Sequence, residues 1–218
     1  MIFDWRFILR SVPFFVSGLT VTLELSFLAI AIAIAWGLAV AFGRMSRFWA
    51  LRTLTGAYIE IVRNTPLLVQ MYFIYFGFAM AGYGLSGFVS GLLALSLQNG
   101  GYMAEIFRAG IQSISALQIE GAKALGMRRW LTLRVVVLPQ ATVRVIPPLA
   151  SQFILIIKDT SIVSAIAVGD LMQAGKLLSE RTGASYEIFL ILALFYLVMT
   201  SLVAGIQRLL ETRFAIAH

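Results

Sequence analysis

Residues Asn64 to Ala104 read NTPLLVQMYFIYFGFAMAGYGLSGFVSGLLALSLQNGGYMA, without one Asp, Glu, Lys or Arg. A bilayer core about 30 Å thick needs roughly 20 apolar residues per helix. This run is therefore long enough for two crossings, and the turn-forming cluster Gly82 to Gly87 divides it. The chain around it has the same character. Of 218 residues, 60% are hydrophobic and 12% charged, where soluble domains carry roughly a quarter charged residues. The expected class is an all-α integral membrane protein, a single membrane domain over residues 1–218 with the lipid bilayer as its solvent.

Five spans follow. The first lies within Val12 to Gly43, interrupted only by Glu24. The second runs from near Thr53 to near Ala81, and the third from about Leu85 to Ile106. The fourth is Val145 to Gly169, and the fifth Ile188 to Gln207, flanked by Glu187 and Arg208. Between the third and fourth lies a polar, basic stretch, Phe107 to Arg144. The N-terminal apolar run is far longer than the roughly 7–15 residues of a signal-peptide core, so it reads as an uncleaved span.

Loop charge sets the orientation. One side holds Arg44, Arg47, Arg52, Arg108, Lys123, Arg128, Arg129, Arg134, Arg144, Arg208 and Arg213. The other holds Arg6, Arg10, Lys176 and Arg181. The N-terminus is expected outside (periplasmic) and the C-terminus inside. Residues 107–144 then form the largest loop, on the cytoplasmic face. The net charge of +7 reads as these inner loops, and no nucleic-acid partner is expected. There is no Cys, and the one His is His218. That argues against thiolate and imidazole metal sites and against Ser/His or Cys/His catalysis; no catalytic or metal residue is expected.

The inner loop contains SISALQIEGAKALGMRRWLTLRVVVLPQA. Ala116 to Leu125 reads as a short helix with small residues on one side. Gly126 suits the position after a helix end, where a positive φ is needed, and Pro139 can open the next span. Small residues let a partner approach the backbone, with Glu120, Lys123, Arg128 and Arg129 at the rim. Spacing alone leaves open whether this is a docking element or an amphipathic connector.

The loop resembles the EAA motif (E-A-A-x3-G-x9-I-x-L-P) of permease subunits of bacterial ABC importers. The whole chain resembles their polar amino acid group through YIEIVRNTPLLVQMYFIYFG (Tyr58–Gly77), YMAEIFRAGIQSI (Tyr102–Ile114), EGAKALGM (Glu120–Met127), VVLPQA (Val136–Ala141) and IKDTSIVSAIAVGDLM (Ile157–Met172). Two departures stand out. Gly121 replaces the first Ala of the motif, and Asn99-Gly100-Gly101 makes the third span more polar than is usual. The resemblance implies a non-catalytic subunit of the bacterial inner membrane. Its partners would be a dimer of ATP-binding subunits, a second permease (identical or homologous) and a periplasmic amino-acid-binding protein. It implies that Glu120, Gly121, Ala122, Ala124, Leu125, Gly126 and Arg128 couple this chain to the ATPase. It implies too that ATP and magnesium sit on that partner, with no cofactor on this chain. In keeping with this, the nearest P-loop candidate, Gly169 to Leu177, is one residue too long and ends in Leu, which cannot ligate magnesium. Gly82-x-Gly84-x-x-Gly87 matches a dinucleotide fingerprint by letters but sits between two spans and is rejected.

Ionisable groups in a bilayer are expensive, roughly 2.5–3.5 kcal/mol each at a helix centre. Lys158 and Asp159, with Thr160 and Ser161 beside them, are candidate contacts for a zwitterionic substrate; the alternative is that the pair marks the outer end of a helix. Gln70, Gln98 and Asn99 either line the pathway or form interhelical hydrogen bonds. Glu60 and Arg63 read as an i,i+3 structural pair, and Glu24 expects a partner on a neighbouring helix. An ion-coupled transporter would carry internal repeats, and none is visible. An intramembrane enzyme would need a nucleophile–base pair that the spans do not contain. A membrane scaffold would leave the helix-Gly-helix loop unexplained.

Overall fold

The computed structural model describes the backbone of residues 5–214 and the side chains of residues 11–209; Arg6, Arg10, Arg213 and His218 lie outside the described side chains. Every regular element among the described residues is helical. They are α1 (Trp5–Arg44), α2 (Trp49–Asn64), α3 (Leu67–Met80), α4 (Gly87–Gln112), α5 (Ala116–Ala124), α6 (Arg129–Thr132), α7 (Leu138–Asp159), α8 (Leu171–Thr182) and α9 (Ser185–Phe214). Among the described residues, three stretches are long and apolar enough to cross a membrane: Ser11–Arg44, Arg129–Ile166 and Ser185–Leu209. α3 is a shorter apolar helix. α4 is too rich in Gly, Gln and Asn to join them, and it is instead the helix most enclosed by its neighbours.

α1 and α4 run side by side through the centre, with α2, α3 and α7 packed on α4 and with α8 and α9 closing the other flank. In lipid, helices associate by close packing of small residues more than by expulsion of water, and the helix contacts reflect that. A Cβ on Gly37 would sit 2.8 Å from Met103 Cβ and 3.0 Å from the Gly100 carbonyl. One on Gly18 would sit 2.8 Å from the Asp170 carbonyl and 2.9 Å from Leu171 Cα. Two apolar clusters result. The larger joins α1, α2, α3, α4 and α7 around Leu25, Met71, Leu95, Met103 and Ile156. The smaller joins α1, α7, α8 and α9 around Phe15, Ile157, Leu171, Ile188 and Leu192.

Three expectations change. The second span is two helices, not one, because Pro66 has no N–H to donate and forces the preceding Thr65 into extended backbone, φ −113° and ψ 140°. The fourth span does not begin at Val145. α7 starts at Leu138 and continues backward through a π turn, Leu133–Val137, in which the Leu138 N–H donates to the Leu133 carbonyl five residues earlier. Pro139 removes a ladder donor just beyond, a common cause of such local rewinding. The fourth span also stops as an α-helix at Asp159; Thr160–Ile166 is a 3-10 turn that ends with Ala167 at φ 56°. Finally, the connection before α9 holds a helix of its own, α8, opened by the Asp170 carboxylate, which accepts from the Met172 and Gln173 N–H groups at 3.1 and 2.9 Å.

Candidate translocation cleft and coupling element

The break at Thr65-Pro66 frees carbonyls at the end of α2, and side chains capture them. Gln70 Nε2 donates to Val62 O at 2.9 Å, to Thr65 O at 3.1 Å and to Thr65 Oγ1 at 2.7 Å. Gln98 Nε2 reaches across from α4 to the same Thr65 carbonyl at 3.0 Å. The Tyr102 hydroxyl donates to Arg63 O at 3.3 Å, and the Arg63 guanidinium lies 5.1 Å over the Tyr102 ring. The expected Glu60–Arg63 pair is absent. Glu60 accepts from Asn64 instead, at 3.0 Å, because Arg63 turns away to stack on α4.

One turn along α4, Asn99 is buried and donates to Leu95 O at 2.8 Å. Its side-chain oxygen accepts from Gln152 Nε2 of α7 at 2.6 Å. Gln70, Gln98 and Asn99 thus gather around the junction of α2, α3, α4 and α7, each with its amide nitrogen in a hydrogen bond. Gln152 was missed in the sequence; a lone amide in the run Leu149 to Ile157 was the signal for it.

Toward the basic end of the bundle these helices enclose a cleft of about 540 Å³, lined by Arg63, Tyr102, Glu105, Ile106, Ala109, Gly110, Ser113, Arg144, Pro148 and Gln152. Its walls mix apolar surface with fixed charge. Arg108 clamps Glu105 at 2.6 Å, the sole ion pair within 4.0 Å among the described residues. Arg144 Nη1 donates to the Ser113 carbonyl and to Ser113 Oγ, the latter at 2.8 Å.

Lys158 to Ser161 sit apart from that cleft, at the opposite end of α7. Lys158 is exposed, Asp159 half-buried and Thr160 buried. Thr160 Oγ1 donates to Ile157 O and Ser161 Oγ to Lys158 O, both at 2.7 Å, so the two hydroxyls close the last turn of α7. The pair does lie at a helix end. Asp159 nevertheless falls seven residues from Gln152, two turns along the same helical face.

The inner-loop helix α5 ends as its sequence requires. Gly126 has φ +75°; its N–H donates to Lys123 O at 2.9 Å, and the Met127 N–H to Ala122 O at 3.0 Å. This double closure is the Schellman arrangement. Of the residues expected to couple, Ala122 is buried and seats α5 on α6 and the π turn, while Glu120, Gly121, Ala124, Leu125, Gly126 and Arg128 are exposed. Leu117 and Leu125 stand 77% and 83% exposed. A Cβ on Gly121 would meet nothing within 4 Å, so no contact inside the chain demands its smallness. Among the described residues no group of acidic side chains could hold a metal ion.

Comparison with known proteins places this arrangement. A family model, the binding-protein-dependent transport system inner membrane component, matches residues 31–216. The glutamine transport system permease protein GlnP of Escherichia coli is 37% identical over 218 residues, covering 99% of this chain and all of its own length. The probable glutamine ABC transporter permease protein GlnM of Bacillus subtilis is 40% identical over 186 residues, covering 85% of this chain and 86% of its own. The crystal structure of an amino acid ABC transporter with histidines superimposes with a TM-score of 0.93 at 37% identity, over 98% of this chain and all of the other. The chain belongs to the binding-protein-dependent transport system inner membrane component family, the non-catalytic membrane permeases of ABC importers.

Proposed function

We propose that this chain conducts a polar amino acid inward across the bacterial inner membrane, driven by separate ATPase subunits and supplied by a periplasmic binding protein. It crosses five times, counting α2 and α3 as one broken span, with the N-terminus outside and α5 inside. The observation that carries this reading is the continuity between α5 and the cleft. α5 presents an exposed face closed by Gly126, and it follows directly on Ser113, which Arg144 of α7 grips at the cleft wall. Force applied to α5 by a closing ATPase dimer, with ATP and magnesium on that dimer, would therefore reach α4 and α7 together.

The relatives named for glutamine, and for glutamate and aspartate (the import permease GltK of Escherichia coli, 34% identical over 206 residues), support the substrate class. So does the chemistry of the walls. A zwitterion needs an anion for its ammonium and donors for its carboxylate; Asp159, with Thr160, Ser161 and Lys158 beside it, offers the first group, and Gln70, Gln98, Asn99 and Arg63 border the route toward the second. The test is reconstitution with the ATPase and binding protein. Uptake that requires ATP and survives collapse of the ion gradients supports the proposal; gradient-driven uptake without an ATPase overturns it.

A further inference from the structure

The turn from α1 into α2 is basic over a stretch that holds no acid. Arg44, Arg47 and Arg52 fall within nine residues, and no Asp or Glu occurs between Glu24 and Glu60. Arg44 is engaged inside the chain. Its Nη1 donates to the Arg52 carbonyl at 3.3 Å, and a Cβ on Gly56 would meet that nitrogen at 3.0 Å. Arg47 and Arg52 are exposed, and neither has a side-chain hydrogen bond, an ion pair or a ring contact among the described residues. Two other arginines at the inner end of the bundle are held, Arg108 by Glu105 and Arg144 by Ser113.

The same turn stands clear of the bundle. α2 doubles back along α1 and packs most closely at Thr55, whose Cγ2 a Cβ on Gly43 would meet at 2.6 Å. Residues 47–54 are all exposed. Phe48 is 76% exposed and Trp49 70%. Along α2, Ala50, Leu54, Ala57 and Ile61 are exposed too, and their i+4, i+3, i+4 spacing sets them on one face. In a membrane protein such a stripe meets acyl chains, and aromatic residues at its end belong at the headgroup level. Arg47 and Arg52 then stand at the depth of the lipid phosphates, on the leaflet that the loop charges assign to the inside.

We propose that the α1–α2 turn binds an anionic phospholipid of the inner leaflet, with its phosphate on Arg47 and Arg52 and its chains along Trp49, Leu54 and Ile61. A guanidinium matches the oxygens of a phosphate with two parallel N–H donors. A bilayer presents phosphates at one depth with acyl chains beside them, and an arginine pair at the end of an apolar stripe fits both parts. A free phosphate would use the arginines and leave the stripe without an occupant. The site bears on transport because the far end of α2 carries Arg63, which lines the cleft, and leads into Thr65, which Gln98 of α4 holds. A lipid that steadies the start of α2 steadies that wall. The inner placement rests on the orientation proposed above.

The test uses the whole complex, this chain with its ATPase and binding protein. Lipids retained by the complex are counted by native mass spectrometry after exposure to phosphatidylglycerol and phosphatidylcholine. The unaltered chain is expected to retain phosphatidylglycerol in preference. R47Q/R52Q should retain it about thirtyfold less well, the effect of about 1 kcal/mol for each arginine. Both side chains are exposed, so the double substitution leaves the packing intact. R134Q/R208Q removes the same charge from the same side and should keep the preference. Undiminished retention by R47Q/R52Q, or an equal loss in R134Q/R208Q, overturns the site. Displacement of the lipid by inorganic phosphate makes the arginines a free-anion site and also overturns it. In proteoliposomes, adding phosphatidylglycerol to phosphatidylcholine should raise ATP-driven uptake about threefold or more for the unaltered chain and for R134Q/R208Q, and not for R47Q/R52Q. Uptake by the unaltered chain that ignores phosphatidylglycerol overturns the link to the cleft. An unaltered chain that transports nothing under ATP in either lipid defeats the importer reading instead, and the retained lipid then still decides the site.

Discussion

A carboxylate near a membrane segment persists where something answers its charge. Asp159 is half-buried at the last turn of α7, with hydroxyls beside it committed to backbone carbonyls. Removing its charge while keeping its shape should leave the helix end closed. Asp159→Asn is therefore expected to abolish ATP-driven uptake in proteoliposomes, while the complex still co-purifies with its ATPase; full transport by that variant would remove Asp159 from the pathway. Arg144 acts differently. Its guanidinium holds Ser113 at the root of α5, a charge-assisted bond of the kind that contributes about 1.5–3 kcal/mol. Arg144→Gln is expected to lower uptake about tenfold or more while ATP hydrolysis by the complex continues, and the ratio of substrate moved to ATP consumed is the quantity to measure.

At the scale of elements, sequence and structure agree where one residue dictates the backbone. Gly126 announces the end of α5, and the structure places it at φ +75° with both Schellman bonds formed. Gly126→Ala should cost about 1–2 kcal/mol locally; hydrogen exchange would show faster exchange at positions 126 and 127 and an unchanged α4. Pro66 carries the same kind of signal, yet the second span was read through it as continuous, because hydropathy does not register a missing N–H. The π turn at Leu133–Val137 had no compositional signal beyond Pro139. α8 was hidden because its polar face made it look like a loop; its opening residue, Asp170, is a strong N-cap that the sequence did display. In the cleft, Gln70, Gln98 and Asn99 stood out as amides in apolar runs, yet their partners did not. The Asn99–Gln152 bond joins residues 53 positions apart, and no local pattern encodes it. Gln98→Leu would leave the Thr65 carbonyl with the Gln70 donor alone and is expected to destabilise the α2–α3 junction by about 0.5–1.5 kcal/mol, read as a lower unfolding temperature in detergent.

For the molecule as a whole, the proposed function requires that α5 lie inside and pass force from an ATP-hydrolysing partner to the helices around the cleft. Orientation was read from loop charge, and charge alone says which side a loop prefers, not what it touches. A cysteine-free chain allows this to be measured with single thiols. L125C, on the exposed end of α5, and Y83C, in the turn between α3 and α4, are each challenged with a membrane-impermeant maleimide. Cells opened only at the outer membrane are expected to label Y83C and spare L125C. Inverted vesicles are expected to label L125C, less so when the ATPase is bound. Labelling of L125C from outside intact cells, or no protection of it by the ATPase, would contradict an inward-facing, ATPase-coupled α5.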